Sequence, residues 1–283
     1  MAAERSFAVI TDSTADIAPA MAEERGVTVV PLSVSFGDET ITDGTLTQPE
    51  FFGRMAAEPQ LPTTSQPAPG LFVEAYEKAL ETASSVVSVH ISNRLSGTIE
   101  SARQAAEQFS GRVHVFDSLN LSWGLALQVM EAARLAELGM EPGEALTALE
   151  KVRERVRLIV GLDSLDNLAR GGRIGKVSAF LGSMLNLKVT LTVDSDGAFQ
   201  PVARNRGERA ALEHTLNWVA EKMGDARRGS FAVGYAMEPS RAERLAEAIR
   251  ERFDVEDLVI YEAGSVICAH TGTGWGVALL PVD

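Results

Sequence analysis

A length of 283 residues suits two domains better than one, and a make-up of 45% hydrophobic and 23% charged residues describes a globular chain, not a disordered one. A formal net charge of -13 and a pI near 4.9 give the molecule a field that repels nucleic acid and anionic membranes, which argues against a binder of either. The single cysteine, Cys268, excludes an internal disulfide framework and a cysteine-rich zinc site.

The opening MAAERSFAVITDS lacks the apolar run and small-residue cleavage site of a signal peptide. No stretch approaches the ~20 apolar residues of a membrane helix. A cytoplasmic setting without a transmembrane segment is therefore expected. SFAVIT reads as a short strand ending at Asp12 and Ser13, either of which can cap a following helix. Gly26 closes that helix, and VTVVPLSVSF is β-branched enough to read as strand. Thr47, Pro49 and Glu50 form a capping-box pattern with proline in the first turn, so a helix begins there. VVSVHI is a buried strand, SARQAAEQF a helix and RVHVFD a strand, followed by helices near Trp123 to Leu138 and Pro142 to Val156. This alternation predicts an N-terminal, Rossmann-like α/β domain over 1–157, a parallel sheet with helices on both faces in three layers.

After Leu158 the rhythm changes. ARGGRIGK precedes LKVTLTV, the turn DSDG and FQPVARNR, a hairpin pattern with Asp196 and Gly197 at the bend. A helix (Arg209 to Met223), the strand SFAVGYA, a helix (Arg241 to Phe253), the strand DLVIYEA and a glycine-flanked closing loop holding His270 complete the chain. This predicts a second α/β domain over 158–283, built in two layers on a mixed sheet.

Several chemical signatures fail on spacing. GTGWG lies seven residues from the chain's end, too close for a dinucleotide fold. GGRIGKVS has Arg170 and Val177 where a Walker loop needs glycine and a hydroxyl residue. No G-x-S-x-G elbow occurs, and His90, His114, His214 and His270 show no ligand spacing, so neither a metal nor a cofactor is expected. What remains are hydroxyl-rich loops at strand ends. PTTSQPAPG holds Thr63, Thr64 and Ser65, and SNRLSGTIESA puts Ser96, Gly97 and Thr98 between a buried strand and a helix. Loops at strand carboxyl ends form the ligand crevice of an open α/β sheet, and a helix N-terminus favours an anion there. Neutral hydroxyls suit a carboxylate held without a strong salt bridge. Read blandly, Thr64 and Ser96 are turn formers and caps. Arg173 and its basic neighbours form either a solvated turn or a docking point for an anionic partner.

In order along the chain, FAVITDSTADI, PTTSQPAPG, SNRLSGTIESA, VFDSLNLSWGLAL, LDNLARGGRIGKVSAFLGSMLNLKVTLTVDSDG and GSVICAHTGTGWGVAL resemble the conserved blocks of the DegV family over nearly the whole length. The sequence departs from the family's habits at Cys268, Thr273, Val189 and Asn167, positions expected to border the pocket. The resemblance implies two α/β domains with a long-chain fatty acid in a buried tunnel, its carboxylate at the domain interface. It implies Thr64 and Ser96 as carboxylate ligands, with Ser65 and Gly97 adjoining and His270 nearby. It further implies a carrier with no catalytic residue of its own. Such a carrier presents its acid to a separate ATP-dependent fatty acid kinase, with Arg173 and Arg206 at the docking face and transient membrane contact for loading. A tail of palmitoyl size gains roughly 11 kcal/mol from burial before ordering costs, ample with only a few hydroxyl bonds at the head. Aliphatic and methionine side chains around Phe180 to Leu191 are expected to line the tunnel. The alternatives are a serine-dependent lipid hydrolase or acyltransferase using Ser65 or Ser96 with His270, and a sensor of some other small molecule.

Overall fold

The computed structural model describes residues 5–180 and 187–282. Its first strand, Ala8–Asp12 (β1), ends in a single 3-10 turn and is followed by helix Pro19–Glu24 (α1) and strand Val27–Val30 (β2). The segment VTVVPLSVSF then divides. Pro31 has no N–H to continue a ladder, and Leu32 donates its own N–H to Ser13 Oγ at 3.0 Å. Beyond this break Ser33–Phe36 (β3) belongs to a different sheet, with Glu39–Thr42 (β4) and, after helix Gln48–Ala57 (α2), Thr63–Ser65 (β5). The expectation of one strand there is corrected to two. The antiparallel order β4-β3-β5 is a third sheet that the strand pattern did not suggest.

Helix Pro69–Ala79 (α3), strand Val86–His90 (β6), helix Thr98–Ala106 (α4), strand Val113–Asp117 (β7) and helices Ser122–Glu137 (α5) and Pro142–Arg155 (α6) complete the first half. Local chemistry accounts for several helix starts. Thr47 and Glu50 make the reciprocal capping box of α2, and α1, α3 and α6 carry proline in their first positions. The parallel order is β2-β1-β6-β7, with every residue of β6 buried. Ile10 and Val86 face α3 and α4, with Phe72, Tyr76 and Ala102. Val9, Val87 and Val89 face the other way, onto α5.

The second half runs through strand Arg157–Leu162 (β8), helix Asp166–Arg170 (α7), strands Leu187–Val193 (β9) and Phe199–Arg206 (β10), and helix Glu208–Met223 (α8). Strand Arg228–Ala236 (β11), helix Pro239–Arg252 (α9), strand Asp254–Glu262 (β12), helix Ser265–Thr271 (α10) and strand Gly274–Val282 (β13) follow. The sheet order is β10-β9-β8-β13-β11-β12, antiparallel except for β11 and β12, so the sheet is mixed as expected. The predicted hairpin is β9 and β10. The closing loop is corrected in part: SVICAHT forms α10, and His270 sits in its last turn.

One apolar layer serves both sheets. Leu125, Ala126, Val129 and Ala132 of α5 pack between the parallel sheet and Leu158, Leu162 and Ala278 of the mixed sheet. The far face of the mixed sheet is covered by α8 and α9 through Val219, Leu245 and Ile249. The small sheet packs Leu32, Val34 and Phe36 against Val266, Cys268 and Ala269, clamping α10 from the side. The fold is α/β, with helices on both faces of the parallel sheet.

Candidate functional site

In the parallel sheet, β1 connects outward to β2 on one side and leads to β6 and β7 on the other. The direction of winding reverses between β1 and β6, and a crevice opens at the carboxyl ends of strands flanking such a reversal. Thr14, just beyond β1, and Ile91, Leu95 and Ser96, just beyond β6, line a narrow cavity at that point.

The cavity's polar end is assembled from three regions. Thr64 is the middle residue of β5 and points inward, half-buried, while Thr63 and Ser65 on either side are exposed. Its hydroxyl lies 2.7 Å from His270 Nε2, a bond that joins residues 206 positions apart. Ser96 Oγ lies 2.8 Å from Thr98 Oγ1 and accepts the Thr98 N–H at 3.2 Å, at the N-terminus of α4. Arg173 contributes its guanidinium, which donates to Leu95 O at 3.2 Å and Gly171 O at 2.7 Å. Burial, and secondarily the Arg173 charge, pushes His270 down to about 4, so its ring is neutral at physiological pH. Its Nδ1 is buried with no hydrogen-bond partner among the described residues. Gly171 makes this placement possible: a Cβ there would lie 2.4 Å from Nδ1.

Helix α10, which carries His270, is fixed at both ends. Gly264 N–H donates to Asp16 at 3.0 Å and Val266 N–H to Asp43 at 3.3 Å, while Asn167 Nδ2 donates to Ala269 O at 3.1 Å. Gln48 of α2 donates to Ala263 O at 2.8 Å, tying the first half of the chain to the loop before α10.

A second narrow cavity adjoins the first and shares Leu121, Ile267 and Thr271 with it. Its walls come from β8, β11, β12 and β13, including Val160, Leu162, Tyr261 and Trp275. Hydroxyls, imidazole and guanidinium gather at the head of the first cavity, and the path beyond is mainly apolar. On the outer side of the Thr64–His270 pair lies an open vestibule bordered by the loop from Pro59 to Thr63, Asn167, Arg170 and Arg173. Two arginines mark this mouth on a chain of net charge -13.

Of the sequence-predicted residues, Thr64, Ser96, His270 and Arg173 converge on the first cavity. Ser65 is exposed on the opposite side of β5 and lines neither cavity, the neighbouring Thr64 taking the inward position. Gly97 caps α4 against Gln66, whose side-chain Oε1 would lie 2.1 Å from a Cβ. Arg206 ends β10, exposed, and borders neither the cavities nor the vestibule. Residues 181–186 of the expected Phe180-to-Leu191 lining lie outside the described residues. The described lining comes instead from Leu32, Leu95, Leu121, Phe199, Val266 and Ile267. Sequence reading missed these because one buried aliphatic residue resembles another until the chain is folded.

Sequence reading also missed a buried polar relay. Asp12 accepts from Thr14 N at 3.1 Å and Ile91 N at 3.1 Å, takes a bond from the Thr14 hydroxyl, and pairs with His90 Nδ1 at 2.9 Å. His90 Nε2 lies 2.6 Å from Ser88 Oγ, which lies 3.0 Å from the Tyr76 hydroxyl. This is the residue set of a hydrolytic triad, but Asp12, Ser88 and His90 have no solvent exposure, so no substrate reaches them. The relay instead holds Thr14 and Ile91, two walls of the first cavity. His270, for its part, partners Thr64 and not a serine. Among the described residues no cluster of His, Cys, Asp or Glu is placed to hold a metal ion, and no helix is long and apolar enough to cross a membrane.

Residues 6–282 match the model of the family described as "Uncharacterised protein, DegV family". A DegV domain-containing protein of Deinococcus radiodurans is 40% identical over 284 aligned residues, covering 98% of this chain and 99% of the relative. Among solved structures, one of a DegV family protein from Thermus thermophilus, described by its fatty acid binding, superposes with a TM-score of 0.93 at 36% identity, covering 97% of this chain and 99% of that one. DegV of Bacillus subtilis, described as a fatty acid binding protein, superposes with a TM-score of 0.88 at 30% identity, covering 98% and 100%.

Proposed function

The chain belongs to the DegV family, and on that premise we propose that it is a carrier of a long-chain fatty acid. The observation that carries this reading is the pair of adjoining cavities, with hydroxyls, imidazole and guanidinium gathered at the head of the first and a mainly apolar lining beyond. The carboxylate is held by the hydroxyls of Thr64 and Ser96, with His270 beside them; Ser65 and Gly97 adjoin these two ligands in the chain, Ser65 on the outer side of β5. Arg173 gives the charge at the head, and the α4 N-terminus adds a favourable dipole. The tail passes Leu121 and Ile267 into the space beneath β11 and β13. Tail burial supplies most of the affinity, at ~0.8 kcal/mol per methylene, and the hydroxyls fix direction more than strength.

The carrier acts in the cytoplasm and presents its acid to an ATP-dependent fatty acid kinase, which makes the acyl-phosphate. The vestibule outside Thr64 and His270 supports this part, because it gives a partner access to the head group beside Arg170 and Arg173. Arg206, exposed at the end of β10 and outside the vestibule, is a second docking contact in this reading. Loading involves brief membrane contact. The division into domains 1–157 and 158–283 also belongs to it, supported by the mixed sheet's first strand starting at Arg157.

Native mass spectrometry of the purified protein, before and after mild denaturation, tests the reading. We expect an adduct with the mass of an acid between myristic and stearic, released on unfolding and lost in a Thr64→Ala/Ser96→Ala double variant. A protein that carries no adduct, and gains none when free fatty acids are added, would sink it.

A further inference from the structure

Tyr261 lines both the second cavity and a separate, open groove on the surface, and so stands in the wall between them. The groove runs past Met21, Val29, Leu46 and Trp123, with Asp16, Asp43, Gln48 and Glu262 also on its walls. We propose that the Tyr261 ring is the end stop of the acyl tunnel, and that removing it joins the tunnel to this groove and admits longer acids. The inference rests on the fatty-acid reading above.

The ring's position is built into the sheet. Tyr261 on β12 pairs with Gly234 on β11, which pairs in turn with Gly276 on β13. The two glycines leave a floor on which the ring lies: a Cβ at Gly234 would come within 2.4 Å of it, and one at Gly276 within 3.5 Å of its hydroxyl. Trp123 packs against the ring with centroids 5.6 Å apart. The phenol is anchored across the two halves of the chain. Its hydroxyl lies 2.9 Å from Ser122 Oγ, and Ser122 donates to Asp16 at 2.6 Å. A buried tyrosine needs such a partner for its hydroxyl, and this partner fixes where the ring stands. Burial pushes the carboxyl of Asp16, which holds Ser122 from the groove side, up to about 8. Only 8% of Tyr261 is exposed, so the ring is packed in place between the cavity and the groove.

The test is a series of competition titrations with saturated acids from lauric to behenic, on wild type, Tyr261→Ala and Tyr261→Leu. The leucine variant retains much of the buried apolar volume, so a readable protein remains if the alanine variant folds poorly. Wild-type affinity should rise with each methylene, by up to about fourfold, and then fall beyond a cut-off length. Both variants should move that cut-off outward, raising affinity for arachidic acid relative to palmitic acid by about tenfold or more. A wild-type affinity still rising at behenic acid, or variants that keep the wild-type ratio, would overturn the stop and leave the carrier intact. A wild type that binds no acid of any length removes the fatty-acid reading, and the stop with it.

Discussion

His270 is held neutral by its surroundings, and this has a measurable consequence in acid. Burial comes first and the Arg173 charge second in lowering it from 6.5 to about 4. Below 6.5 the unfolded chain takes up a proton at this position while the folded chain does not. The group's stabilising contribution is therefore present above pH 6.5 and is lost as pH falls toward 4. The loss reaches about 2 kcal/mol at pH 5 and about 3 kcal/mol at pH 4. A His270→Gln variant retains an amide that can meet Thr64 but has no titrating group. Urea unfolding of both proteins at pH 7 and pH 5 should show the wild type losing about 2 kcal/mol more than the variant. Asp16 and Asp43, which burial raises, titrate with the opposite sign but are common to both proteins and cancel in the difference. Parallel pH dependences would refute the argument, because they would mean that His270 titrates alike in the folded and unfolded chains.

Two further substitutions probe the same architecture. Gly171→Ala places a Cβ 2.4 Å from His270 Nδ1 and 3.0 Å from the Asn167 carbonyl. It should cost about 1–3 kcal/mol in urea unfolding and weaken retention of the acid by displacing His270 from Thr64, so wild-type values in both assays would contradict the packing described. Asp12→Ala leaves the Thr14 and Ile91 N–H groups and His90 Nδ1 without their buried acceptor. It should lower stability by about 3–5 kcal/mol, and a shift in urea midpoint equivalent to less than about 1 kcal/mol would show that the relay is not a structural anchor.

Much of this protein was legible along the chain because the signals are local. The Thr47 and Glu50 capping box, the DSDG turn of the β9–β10 hairpin, the apolar run of β6 and the proline-led helices each act within a few residues, so they can be read without knowing what packs where. The same holds for the class of fold, since strand and helix alternate in the order that a parallel sheet demands. The head of the site was half legible: Thr64 and Ser96 stood out as hydroxyls at strand ends. That Thr64 turns inward and Ser65 outward follows from the register of β5 on β3, where Val34 faces Thr64. The division of VTVVPLSVSF between two sheets, the helical form of SVICAHT, the Thr64–His270 bond across 206 positions and the seat of Tyr261 on Gly234 were decided only by tertiary structure. The physical reason is that apolar side chains are interchangeable to the hydrophobic effect, which rewards burial without naming a partner. Close packing and the need to pair each buried polar atom are what select one partner among many, and both exist only once the chain has folded.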